Sequence, residues 1–144
     1  MIAIGSDHGG FALKQAVIKH LESRGEKYYD FGTYSEASCD YPDFGRAVAE
    51  SVASGAYEYG IIICGTGIGI SITANKVRGV RAALCGDCFS AEATRLHNNA
   101  NVLALGARVV GEGLALKIVD TFLDTPFSND ERHIRRISKI EPLE

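Results

Sequence analysis

Residues 59–69 read Tyr-Gly-Ile-Ile-Ile-Cys-Gly-Thr-Gly-Ile-Gly. A run of three isoleucines with no polar alternation predicts a strand buried on both faces, as in the middle of a parallel sheet. The glycines at 65, 67 and 69 predict a tight turn, and Ile70–Lys76 opens a helix beyond it. Upstream, residues 1–6 and 26–31 predict strands, followed by helical spacing over 11–24 and 42–54. Leu13, Ala16, Val17, His20 and Leu21 share one face of the first helix, and Pro42 suits the first turn of the second. Downstream, strands are expected over 80–85 and 101–105, with helices over 87–97, 111–123 and 132–140. Strand and helix in regular alternation predict an α/β fold with a five-stranded parallel sheet covered on both faces.

The chain has 144 residues, 46% of them hydrophobic and 23% charged, with a net charge of −3. That is one domain over 1–144, with 129–144 as a C-terminal helical tail, and it is not a disordered chain. The acidic balance argues against a non-specific nucleic-acid binder, and no apolar run reaches the roughly 20 residues of a membrane span. The opening MIAIGSDHGG carries no secretion signal, so a cytoplasmic location is expected. Cysteines 39, 64, 85 and 88 are expected as reduced thiols.

Ligands of open α/β sheets bind beyond the carboxyl ends of the strands. Four polar segments should converge there: Asp7-His8-Gly9-Gly10, Asp40-Tyr41-Pro42-Asp43, Cys64 with the turn Gly65-Thr66-Gly67-Ile68-Gly69, and Arg108. The glycine turn can aim backbone N–H groups at an anion, or it can be a plain strand-to-helix turn. It is neither a dinucleotide fingerprint, because Ile70 replaces the third glycine, nor a P-loop. Cys64 is either a buried structural cysteine or a thiolate acting as base or nucleophile. Asp7 also suits a helix cap, His97-Asn98-Asn99 a helix stop, and His20 a structural role. Arg132, His133, Arg135 and Arg136 make a dense basic group. It is a solvated helix face or a phosphate clamp, with Arg132 and Arg136 aligned at i and i+4. Cys85-Gly86-Asp87-Cys88 has the layout of a thiol redox motif. It has no second pair for zinc.

Five segments in order, SDHGG, DYPD at 40–43, ICGTGIGISITANK at 63–76, RLHNNANVLALGARVVG at 95–111 and RHIRR at 132–136, resemble ribose-5-phosphate isomerase type B. The wider family includes allose-6-phosphate and galactose-6-phosphate isomerases. The resemblance implies a Rossmann-like three-layer α/β/α sandwich and a homodimer, in some members a tetramer, with sites between subunits. It implies interconversion of an aldose phosphate and a ketose phosphate with no cofactor and no metal. Ribose 5-phosphate, and so the pentose phosphate pathway, is the leading expectation. A hexose 6-phosphate is the nearest alternative, and a redox protein using Cys85 and Cys88 a distant one. Carried across, Cys64 is the base moving a proton between C1 and C2, Thr66 with the backbone of Gly67, Ile68, Gly69 and Ile70 cradles the enediolate, and His97 helps open the sugar ring. Asp7, His8, Tyr41 and Asn98 are substrate contacts, and Arg108, Arg132 and Arg136 phosphate ligands. The helix after Asp87 runs antiparallel to the strands, so His97 and Asn98 end opposite their own Cys64. They would serve the site of a two-fold partner. Two departures from the family pattern stand out: Asn129-Asp130-Glu131 stands where Gly-Gly is usual, and Thr73 where alanine is common.

Overall fold

The computed structural model describes residues 1–141; residues 142–144 of the expected tail lie outside the described residues. Five parallel strands alternate with helices. They are β1 (Ile2–Ser6), β2 (Tyr28–Asp30), β3 (Tyr59–Cys64), β4 (Ala82–Leu84) and β5 (Val102–Gly106). The helices are α1 (Phe11–Ser23), α2 (Tyr41–Ala53), α3 (Ile68–Ala74), α4 (Cys88–Asn98), α5 (Glu112–Asp124) and α6 (Glu131–Ile140). The sheet order is β2-β1-β3-β5-β4, all parallel. Among the described residues no helix is long and apolar enough to cross a membrane.

The side-chain alternation of the strands splits the core into two layers. Ile2, Ile4, Ile61, Ile63, Leu103 and Leu105 point to one face, where α1, α4 and α5 pack with Leu13, Val17, Ala91, Ile118 and Phe122. Ala3, Ile62, Cys64, Val102 and Ala104 point to the other, under Val48 and Val52 of α2 and Ile70 and Ala74 of α3. Cys64 therefore lies on the α2–α3 side, at the carboxyl end of the sheet.

The two edge strands are shorter than the sequence suggests: three residues each, where 26–31 and 80–85 are the expected spans. An edge strand pairs on one side, so its ladder ends sooner than its apolar run does. Helix α3 begins at Ile68 and not at Ile70, because Gly67 takes a left-handed φ of 79° and completes the turn there. Lys14 is fully buried on α1, a position the helical pattern left outside the core face. Its ammonium donates to both Asp30 carboxylate oxygens (2.6 and 2.7 Å) and to the Thr33 carbonyl (2.7 Å).

Candidate active site

Strand β1 is followed by β2 on one side and flanked by β3 on the other, so the chain changes direction between β1 and β3. A crevice opens there at the carboxyl ends. Its β1 wall is a 3₁₀ turn, His8–Gly10, capped by Asp7, whose Oδ1 accepts the Gly10 N–H at 3.0 Å. The capping role and a place in the crevice thus coincide at Asp7, which is buried. The His8 Nδ1 accepts the Cys39 backbone N–H at 3.2 Å. The neutral ring therefore carries its proton on Nε2, where it can donate to a ligand.

The β3 wall is Cys64 and the glycine turn. Gly67 donates its N–H to Cys64 Sγ at 3.1 Å, which orients the buried sulfur toward the turn. Thr66 is exposed, and its Oγ1 accepts the Ile68 N–H at 3.1 Å, leaving the hydroxyl proton to donate outward. The amides of Gly69 and Ile70 lie in the first turn of α3 and have no acceptor inside the helix. Gly69 belongs to the helix, where its missing side chain admits Tyr41. A Cβ there would stand 2.6 Å from the Tyr41 ring. Arg108 follows β5 and leans across the crevice. Its guanidinium nitrogens lie 3.1 and 3.5 Å from where Cβ atoms of Gly65 and Gly9 would be. Asp7, His8, Tyr41, Cys64, Thr66, Gly67, Ile68, Gly69, Ile70 and Arg108 lie around this crevice.

His97, Asn98, Arg132 and Arg136 do not. Asn98 ends α4, and its carbonyl accepts from Arg81 Nε at 2.9 Å, just ahead of β4. Cys64 pairs with Gly106 at the far end of β5 from Val102. Four steps of about 3.3 Å put roughly 13 Å of sheet between the two ends. Asn99 closes α4 in the left-handed region with φ 46°, the expected helix stop. His97 is exposed and stacks on His133 of α6, ring centroids 4.4 Å apart and planes 20° from parallel.

The unusual tail sequence has a local explanation. Asn129 adopts φ 59°, a conformation glycine takes freely, and Asp130 caps α6 by accepting the Arg132 N–H at 3.1 Å. Asp130 also pairs with Arg132 Nε at 3.4 Å. Thr73 donates its hydroxyl to the Gly69 carbonyl at 2.9 Å. His20 is structural, bonded to Asp120 at 2.7 Å. Burial, with Asp87 adding to it, pushes the Cys85 thiol up to about 11, opposite to the shift a reactive thiolate needs.

A cleft of about 850 Å³ runs not over Cys64 but along β4, past Leu84, Cys85, Phe89 and Asn98 to Ile140. Ile68, Leu84 and Val109 line a second, smaller pocket beside Thr66, and Ile72 and Phe89 are likewise large, apolar and exposed.

The family model described as ribose/galactose isomerase matches residues 2–140. The ribose-5-phosphate isomerase B of Escherichia coli is 48% identical over 143 residues, covering 99% of this chain and 95% of the relative. The galactose-6-phosphate isomerase subunit LacB of Clostridium acetobutylicum is 43% identical, covering 99% and 83%. The solved structure of Clostridium thermocellum ribose-5-phosphate isomerase B superposes with a TM-score of 0.95 at 56% identity, covering 96% of this chain and 93% of that one. With likeness along nearly its whole length in sequence and in fold, the chain belongs to the ribose/galactose isomerase family and is an aldose–ketose isomerase.

Proposed function

We propose that the chain interconverts ribose 5-phosphate and ribulose 5-phosphate through an enediolate, with Cys64 as the base. The observation that carries this reading is Cys64 Sγ held by the Gly67 N–H, beside the Thr66 hydroxyl and the opening amides of α3. A hydrogen on carbon next to a carbonyl is weakly acidic. Its removal needs a base on one side and hydrogen-bond donors on the oxygen that gains charge. The thiolate takes the proton from C2 of the open-chain aldose and returns it to C1. Meanwhile O1 gains a proton and O2 loses one, so the atoms balance without an external oxidant. Thr66 and the amides of Gly69 and Ile70 face the developing oxyanion.

Ribose 5-phosphate exists mostly as a furanose, so its C1–O4 bond must open first. That step moves a proton from O1 to O4 and calls for an acid–base group such as His97. In one protomer His97 lies at the wrong end of the sheet. We therefore infer a homodimer in which His97, Asn98, Arg132 and Arg136 of one chain complete the crevice of the other. The exposed apolar side chains of Ile68, Leu84 and Val109, which line one pocket beside Thr66, support this, since a second copy would cover them. Unbridged thiols suit a cytoplasmic location. Turnover measured on ribose 5-phosphate, allose 6-phosphate and galactose 6-phosphate tests the substrate. Highest kcat/KM on ribose 5-phosphate is expected, and preference for either hexose phosphate overturns the pentose reading.

A further inference from the structure

Helix α6 is held to the body of its own chain at few points, chiefly the His133 ring on α4 and the Glu141 carboxylate at its end, which pairs with Arg81. Among its residues His133 is buried at 7% exposure and Ile137 is half-buried, while Ile134 and Ile140 are 50% and 58% exposed. The buried one stands on α4, its ring stacked against His97. His133 is flanked by Arg132 and lies one turn from Arg136. One contact therefore joins the candidate ring-opening imidazole to the candidate phosphate clamp. We propose that His133 is a positioning residue for ring opening: its stacked ring fixes the orientation of His97 and the distance from His97 to Arg132 and Arg136. This rests on the role given to His97 above.

The chemistry favours the arrangement. An exposed histidine on the last turn of a helix samples several rotamers, and a flat partner at stacking distance restricts it. Two adjacent imidazolium ions would repel, so a neutral ring strengthens the stack. Desolvation, together with His97, Arg132 and Arg136, holds the His133 pKa below the ordinary imidazole value, with Asp130 opposing. The clamp binds at C5 and His97 must reach O1 and O4. A fixed spacing between them thus suits one length of sugar.

The test compares ribose 5-phosphate with 4-deoxyribose 5-phosphate, an aldose that lacks O4 and cannot close a furanose. Displacing His97 should cost catalysis only where a ring must open. For His133→Ala we expect kcat/KM on ribose 5-phosphate, relative to the open-chain analogue, to fall about 10- to 100-fold. His133→Phe, which keeps a flat ring in the stack, should recover most of that ratio. An equal loss on both substrates would mean that His133 only holds the fold, and overturns the proposal. His97→Ala is measured alongside. A fall of the ratio there but not in His133→Ala defeats the positioning role alone; no fall in either defeats the reading of His97 as well. NMR of the free enzyme checks the contact itself. The His97 ring signals should carry a ring-current shift that His133→Ala removes and His133→Phe retains, and their absence in the wild type overturns the stack.

Discussion

At the carboxyl end of the sheet, Cys64, Thr66 and His8 each have a hydrogen-bond partner within the chain. At the amino end, His97, Asn98, Arg132 and Arg136 sit on exposed surface, tied by a ring stack, a carbonyl contact and an ion pair. The first group hangs from strand ends whose positions the sheet dictates. The second hangs from a helix terminus and an outlying helix. On the roles proposed above, a protomer carries a rigid half-site for moving a proton and a looser half-site for holding and opening a sugar. In the homodimer inferred above, the looser half completes the crevice of the other chain.

The comparison is most sharply broken at the sulfur. Cys64→Ser keeps the shape and the Gly67 contact but replaces the thiol with a far weaker acid. Turnover should fall about 10³-fold or more while the melting temperature barely moves. A purified serine variant with near-normal turnover would remove Cys64 from the chemistry. The division between halves is tested by mixing. Cys64→Ala and His97→Ala chains should each be nearly inactive alone. Random pairing makes half the dimers mixed and half their sites whole, so about a quarter of wild-type activity should return. Absence of recovery in verified heterodimers would show that His97 serves its own subunit.

A smaller effect sharpens the account of the looser half. Asp130 caps α6 and also draws on Arg132. Asp130→Asn keeps an N-cap and removes the competing charge. KM for the sugar phosphate should drop about two- to fivefold at low salt, with the gain fading as salt is added. An unchanged KM at low salt would mean that Arg132 does not meet the phosphate.

What could be read from the chain alone follows the same division. The central strands were legible because Ile61–Ile63 and Val102–Leu105 are apolar throughout, and only a doubly covered strand needs that. Most crevice residues were legible because Asp7, His8, Cys64, Thr66 and Arg108 end or closely follow a strand, so topology alone brings them together, while Tyr41 arrives at the start of α2 after the loop 31–40. Lys14 was not, since its partner Asp30 lies 16 positions away and periodicity marks only apolar faces. The role proposed for His133 was hidden for the same reason. As sequence it is one member of a basic cluster, and only the packing of α6 on α4 sets it against His97.

The two three-residue edge strands have a consequence for the newly made protomer. A long bare edge offers unpaired amides and carbonyls to any passing strand, and is a route to fibrous aggregates. Here β2 and β4 leave too short a ladder to recruit one. The protomer can thus expose large apolar side chains such as Ile68 and Phe89 and still be protected from polymerising through its sheet.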